Sequence, residues 1–317
     1  MFKRNNTFLE NTPWGALSAG EGILHVFNLS LLKVVAHYFV SAVLSLFAIF
    51  VIGFVRMIGG AILTLRSGYE FFPSQKAVFG SMLVGLVSAY VTLIPVYLFV
   101  TRGISIAVFA LMIFVGLIPG AVWNKLGSYG KLSLTQIFGL ILSLLSLVAV
   151  MQFAVVALPI WFWLILSLPV ASLVQEIIIR KIGTAGVISP WVHNFWLGLS
   201  MIIFAVVGMM LFNASLLSGA FLSGAGNYII ILTVIGISSL AIVLFRQKSF
   251  MQGGSFGSKN TATAVVMILT ALLVDTIFFS VYPSIDIFLA VILLFIGYPM
   301  IESKNRSATV EFVTSKD

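Results

Sequence analysis

The amino-acid sequence predicts an all-α, polytopic membrane protein with about ten transmembrane helices. Hydrophobic residues make up 61% of the 317 residues, charged residues only 8%, and the mean hydropathy is +1.17. A soluble domain could not cover this much apolar surface with polar side chains. Apolar runs of about 20 residues, each long enough to cross a bilayer core, recur along the chain, and basic residues lie mostly between them.

The first element is the hardest to assign. Residues 1–13 form a polar tail with Lys3 and Arg4, but the next stretch, 14–38, is interrupted by Glu21, His25, Asn28 and Lys33. Residues 14–66 contain enough chain for two crossings at about 1.5 Å per residue, whereas the apolar part from 39 to 66 is overlong for one. We therefore predict two helices, over 14–38 and 42–66.

The remaining apolar runs predict eight further spans, at about 77–101, 104–123, 133–154, 157–179, 190–213, 227–245, 261–282 and 284–301. If Lys3 and Arg4 lie in the cytoplasm, nearly all basic loops fall on that side and only Arg102 lies in an outer turn. A nine-span alternative would put Lys3 and Arg4 outside. The charge pattern therefore favours ten spans, with the tails 1–13 and 304–317 both cytoplasmic, in the cell (inner) membrane.

A repeat is visible in two short segments. NLSLLK, residues 28–33, and EIIIRK, residues 176–181, each put a polar residue five before a lysine and lead into another apolar helix. This divides the chain into two five-helix repeats, 14–155 and 156–303. Because five is an odd number, the second repeat must enter the membrane in the opposite orientation, which is how many secondary transporters build a midplane site.

Other chemistries are not indicated. The chain has no cysteine, so disulfides and thiolate metal sites are excluded. The net charge of +8 would suggest nucleic acid for a soluble protein, but here the basic residues act as topology signals. No metal-ligand cluster, phosphate loop or nucleophile with a matched base is present, so we predict neither an enzyme nor a cofactor. Residues 246–260, basic and rich in Gly and Ser, are interpreted as a flexible inner loop.

Residues 84–149 carry a recognisable order of features. Gly85 and Tyr90 lie in one run, a tight Thr101-Arg102-Gly103 turn follows, Pro119 lies in the next run, and KLSLTQ at 131–136 leads to Gly139. This order resembles helices three to five of the drug/metabolite transporter superfamily, in its EamA-type branch. Arg56 in FVRMIGG and the segment 28–33 are also similar to family positions in the first two helices.

The resemblance implies a secondary transporter that moves a small metabolite or drug-like solute. The expected partners are that solute and the lipid bilayer, and a homodimer is compatible with the sequence. A flippase, an accessory subunit or an enzyme for lipid-linked sugars is the alternative. The absence of a large extramembrane loop and of clustered acids at one interface counts against the enzyme.

The polar residues inside the apolar runs are the candidate site. Glu21, His25 and Asn28 are spaced i, i+4, i+7 and so share one helix face, which should line a cavity because a polar stripe facing lipid is costly. Alternatively, the first helix begins later and Glu21 is an interfacial acid. Asp275, placed midway along the ninth span, needs a partner, water or a proton, and could instead pair with Arg56.

Three further residues have two interpretations each. Tyr90 could line the cavity or pack; His193, in the first turn of the seventh span, could face a pathway or cap its helix; and Glu176 could bind or form an interfacial pair with Arg180 and Lys181. The predicted substrate and proton pathway is Glu21, His25, Asn28, Arg56, Tyr90, His193 and Asp275. Asp275 or Glu21 would take up the proton that drives exchange.

Overall fold

The computed structural model describes residues 12–37, 44–102, 104–115, 118, 122, 132–150, 160–184, 188–211, 219–252 and 256–302. These contain ten α-helices and no strand: α1 (Trp14–His37), α2 (Leu44–Ser67), α3 (Gln75–Arg102), α4 (Ile106–Val115), α5 (Leu134–Val150), α6 (Ile160–Thr184), α7 (Pro190–Leu211), α8 (Gly219–Met251), α9 (Phe256–Phe278) and α10 (Ile285–Glu302). The all-α prediction is confirmed for these described residues. Residues 1–11 of the predicted N-terminal tail, the predicted C-terminal tail 304–317 and Pro119 lie outside the described residues.

The chain is a helical membrane protein. Six helices are long and apolar enough to cross a bilayer, within α1, α2, α3, α7, α8 and α9. The other four described helices contain shorter apolar stretches, Ile106–Val115, Leu134–Ser146, Ser167–Ile179 and Ile285–Ile301. Large apolar side chains such as Leu65, Phe79, Met210 and Ile277 are exposed on the outside of the bundle. Such surface suits contact with lipid rather than water.

Helix α1 lies at the centre of the bundle between α8 and α9. It runs antiparallel to α8, because Ser18 meets Ser249, Glu21 meets Arg246 and Asn28 meets Ser239 in regular steps. It runs parallel to α9, because Lys259 meets Glu21 near the start of both helices and Asp275 meets Lys33 near their ends. We call the side of the bundle where α1 begins the near side, and the side where α1 ends the far side.

Glycines permit the closest helix crossings. A Cβ at Gly198 of α7 would lie 2.5 Å from the carbonyl oxygen of Gly53 in α2, and a Cβ at Gly139 of α5 would lie 2.5 Å from that of Gly297 in α10. Only a residue without a side chain fits at these points. Small residues at crossings are a usual way to bring helix backbones together in lipid.

Two sequence predictions need correction here. Helix α8 continues to Met251 and α9 begins at Phe256, so the predicted flexible loop is wrong for residues 246–251 and 256–260, while residues 253–255 lie outside the described residues. Arg246 and Lys259 are buried rather than exposed at an interface. Because α9 ends at Phe278, Asp275 lies in its last turn and not midway. In the first case, buried acids that pair with Arg246 and Lys259 allow the helices to include residues that hydropathy assigns to a loop.

Candidate functional site

A cavity of about 140 Å³ lies inside the bundle, between the near and far sides. Its walls come from α1, α2, α3, α4, α6, α7, α8 and α9, so both halves of the chain contribute. The polar lining includes Glu21, His25, Asn28, Arg56, Ser88, Gln175, Glu176, Ser239, Arg246 and Asn260. The rest of the lining is mainly apolar, and a few polar groups in a mostly apolar pocket are typical of small-molecule sites.

Glu21, His25 and Asn28 lie together along the cavity side of α1, as their spacing predicts. Helix α1 begins at Trp14 and Glu21 is fully buried, so the alternative of an interfacial acid is wrong. Asn28 reaches across to α8, where its Nδ2 donates to Ser239 Oγ at 3.1 Å and its Oδ1 accepts from Ser238. Asn28 therefore finds hydrogen-bond partners within the bundle for both its amide nitrogen and its amide oxygen.

Four charged side chains meet at the near side of the cavity, and we call Glu21, Glu176, Arg246 and Lys259 the four-charge cluster. Arg246 Nε lies 2.6 Å from Glu21 Oε1 and 3.2 Å from Glu176 Oε1. Lys259 Nζ lies 2.9 Å from Glu21 Oε2 and 3.3 Å from Glu176 Oε1. Each cation thus contacts both acids. The cluster joins α1, α6, α8 and α9 and is electrically balanced, which buried charges require.

His25 extends this cluster towards the cavity. Arg246 Nη2 lies 2.8 Å from His25 Nε2. Because a guanidinium can only donate, Nε2 must be the acceptor, which makes His25 neutral with its proton on Nδ1. Glu176 does not form the interfacial pair with Lys181 that was one of its two interpretations. It is buried and its carboxylate faces Arg246 and Lys259, whereas Lys181, on the same helix α6, is exposed.

A second ion pair lies at the far side. Lys33 Nζ lies 3.0 Å from Asp275 Oδ1, and Asp275 Oδ2 accepts from Ser105 Oγ at 2.7 Å and from the backbone N–H of Ala107 at 2.9 Å. The alternative pairing of Asp275 with Arg56 is therefore wrong. From the last turn of α9, the carboxylate of Asp275 reaches the first turn of α4 and accepts a hydrogen bond from a backbone N–H there. A negative charge is favourable at the start of a helix. Lys33 also lies over the Phe279 ring, 4.3 Å from its centroid.

Arg56 is buried and faces the cavity from α2. Its Nε and Nη2 donate to Asn194 Oδ1 at 3.1 and 2.9 Å. The neighbouring His193 does not line the cavity: its Nδ1 lies 2.8 Å from Ser81 Oγ, between α7 and α3. The start of α7 is capped by Ser189, whose Oγ accepts from Val192 N at 3.3 Å, so His193 is not the cap either.

Tyr90 packs instead of lining the cavity. Its hydroxyl lies 2.6 Å from Ser167 Oγ, joining α3 to α6, while the next residues, Val91 and Thr92, face the cavity. Of the seven predicted pathway residues, Glu21, His25, Asn28 and Arg56 line the cavity; Tyr90, His193 and Asp275 do not.

Sequence reasoning missed Arg246 and Lys259 as site residues. Both lie in a stretch rich in polar and glycine residues, which is typical of a loop and predicts that they act as topology signals. The signal that could have found them is the need for partners: Glu21 and Glu176 inside apolar helices each require a cation. Asn260, the next residue after Lys259, and Thr263, one turn beyond it, are further polar residues of α9, and both line the cavity.

No family model matches this sequence, and no curated protein matches it. A solved structure, described only as "Crystal structure of protein", superposes with a TM-score of 0.60 over 96% of this chain and 100% of its own. The two sequences are 15% identical. At that identity the likeness shows a shared fold and nothing about substrate.

Proposed function

We propose that this protein is a secondary transporter that carries a small metabolite or drug-like solute through the inner membrane. The observation that carries the proposal is the cavity, which is lined by both halves of the chain. The ion pair of Glu21 with Arg246 is part of its lining at the near side, and the separate ion pair of Lys33 with Asp275 lies at the far side of the bundle. A solute held between two closable ends is what alternating access requires.

Ten spans in two inverted five-helix repeats, 14–155 and 156–303, are part of this proposal. The helix contacts support it, because the larger contacts each have a counterpart five helices further along the chain, where the numbering returns to α1 after α10. The contact of α1 with α8 has its counterpart in α6 with α3, that of α3 with α7 in α8 with α2, and that of α1 with α9 in α6 with α4. The contacts of α2 with α7, α5 with α10 and α4 with α9 are their own counterparts.

The two ends of the cavity are linked through α1. Glu21 and Lys33 are twelve residues apart, about 18 Å along the helix axis, and each belongs to one of the two ion-paired contacts. Opening the near side must separate Glu21 from Arg246, and opening the far side must separate Lys33 from Asp275. Loading a proton on Glu21 or Asp275 removes the charge that its cation faces, which would tie proton movement to opening. Both termini lie in the cytoplasm in this scheme.

The experiment is a solute screen with purified protein in proteoliposomes, with and without a pH gradient. We expect counterflow of at least one soluble solute at rates above those of protein-free vesicles. Movement of a lipid-linked sugar between leaflets, with no soluble solute transported, would instead favour the flippase. If neither moves, the transport function is wrong.

A further inference from the structure

Arg56 is a buried cation without a buried counter-charge. Its side chain is 7% exposed and lines the cavity. Within the described residues no carboxylate lies at ion-pairing distance from it, although every other cation beside the cavity, Arg246 and Lys259, contacts two acids. A charge taken out of water is normally paired, so this one indicates a missing anion.

The surrounding structure fixes Arg56 in this position. Asn194 Nδ2 donates to Pro190 O at 2.9 Å, one turn back on α7, and this turns Asn194 Oδ1 towards α2. That single oxygen accepts from both Nε and Nη2 of Arg56. Asn194 is neutral, so it orients the guanidinium without balancing its charge. A guanidinium has five N–H donors, and Asn194 takes two.

The charge balance of the whole cavity leads to the same conclusion. Arg56 and Arg246 line the cavity as cations, Glu21 and Glu176 line it as anions, and His25 is neutral. Lys259 does not line the cavity but contacts both acids, so among the described residues three positive charges stand against two negative ones. Lys33 and Asp275 balance each other at the far side. The excess is therefore one positive charge, carried by Arg56.

A second polar group in the cavity also lacks a partner. Asn260 of α9 lines the cavity and is 1% exposed, and its Nδ2 has no hydrogen-bond acceptor among the described residues. Leaving a buried donor unpaired is costly. Asn260 Nδ2 and the remaining N–H groups of Arg56 are all hydrogen-bond donors. Both residues therefore require a ligand that accepts hydrogen bonds.

We propose that the cavity binds a solute with one carboxylate or phosphate group, whose anion pairs with Arg56 and completes the charge balance. This deepens, and rests on, the proposed transport function. The volume of about 140 Å³ restricts the solute to a small organic acid or to the head group of a larger molecule. Neutral and cationic analogues of the same shape leave Arg56 unpaired and are rejected.

The test compares matched ligands on the purified full-length protein. Benzoate with benzamide and lactate with lactamide differ in charge but hardly in shape; inorganic phosphate and a short prenyl phosphate are separate arms, which distinguish a soluble anion from a lipid head group. We expect an acid or a phosphate to raise the thermal unfolding temperature of wild-type protein and the amides to leave it unchanged. Arg56→Gln should weaken that ligand roughly tenfold or more, as loss of a charged hydrogen bond predicts, whereas Arg66→Gln, at the exposed end of α2, should bind as wild type does.

A second variant keeps the test decisive if Arg56→Gln fails to fold. Asn260→Asp is nearly isosteric and supplies an internal negative charge, so it should also abolish anion binding. Anion effects that persist in Asn260→Asp, or amides that act as well as acids, would overturn the anion site, as would the absence of any effect from acids and phosphates. Transport of a neutral or cationic solute in proteoliposomes would support the transport function but contradict the anion site. Anions that bind through Arg56 but never cross the membrane would support the anion site but contradict the transport function.

Discussion

Arg246→Met is expected to stop transport and to lower the free energy of unfolding by about 3 kcal/mol, the scale found when one partner of a buried ion pair is removed. Arg246 contacts Glu21, Glu176 and His25 at once. Without it, two buried carboxylates face the single ammonium of Lys259 and repel each other. Thermal unfolding in detergent and counterflow in proteoliposomes measure the two effects.

Lys248→Met is the matched control. Lys248 lies half a turn further along α8, is partly exposed, and makes no ion pair within the described part of the chain. Its loss should leave both measurements near wild type. Adding Glu176→Gln to Arg246→Met returns the cluster to one acid and one base, so the double variant should recover much of the lost stability. Wild-type stability and transport in Arg246→Met alone would mean that the four-charge cluster does not hold the near side.

Asp275→Leu is expected to have the second largest effect, again a loss of about 3 kcal/mol in unfolding free energy. The substitution leaves Lys33 without its carboxylate and also removes the acceptor for Ser105 Oγ and Ala107 N at the start of α4. Asp275→Asn should cost less, because its side-chain oxygen can still accept from the start of α4. Asp286→Asn, an exposed acid in the first turn of α10, is the control and should change stability little.

A double variant separates stability from proton coupling. Lys33→Met combined with Asp275→Asn removes both charges of the far-side pair and should be more stable than Lys33→Met alone. If Asp275 carries the coupling proton, this variant still exchanges solute but is no longer driven by a pH gradient. If it and Glu21→Gln both accumulate solute as wild type does under a pH gradient, proton coupling is wrong and a facilitative exchanger replaces it.

The helices could be predicted because their signal is local. Apolar runs define the spans, and α1 could be assigned despite Glu21, His25 and Asn28 because the chain length between 14 and 66 requires two crossings. The C-terminal end of α8 and the start of α9 could not be predicted in this way. Whether polar residues after Phe245 continue a helix depends on acids that are distant in sequence: Arg246 is 225 positions from Glu21.

The candidate site, like the helices, could be predicted only where the signal is local in sequence. Helical spacing places Glu21, His25 and Asn28 on one face, but it does not identify the helix that this face meets. For that reason the sequence offers Arg56 as an alternative partner of Asp275, whereas the actual partner is Lys33. The missing counter-charge of Arg56 is likewise invisible in sequence, because it depends on the three-dimensional neighbours of every acid.

Alternating access through the near side can be measured by locking that side. The chain has no cysteine, and the Oγ atoms of Ser18 and Ser249 lie 2.7 Å apart, next to the four-charge cluster. Replacing both, Ser18→Cys with Ser249→Cys, brings two thiols within bonding reach of each other. Oxidation should abolish counterflow in proteoliposomes, a reductant should restore it, and either single variant should transport under both conditions. Undiminished transport by fully crosslinked protein would contradict opening at the near side, and with it the proposed transport cycle.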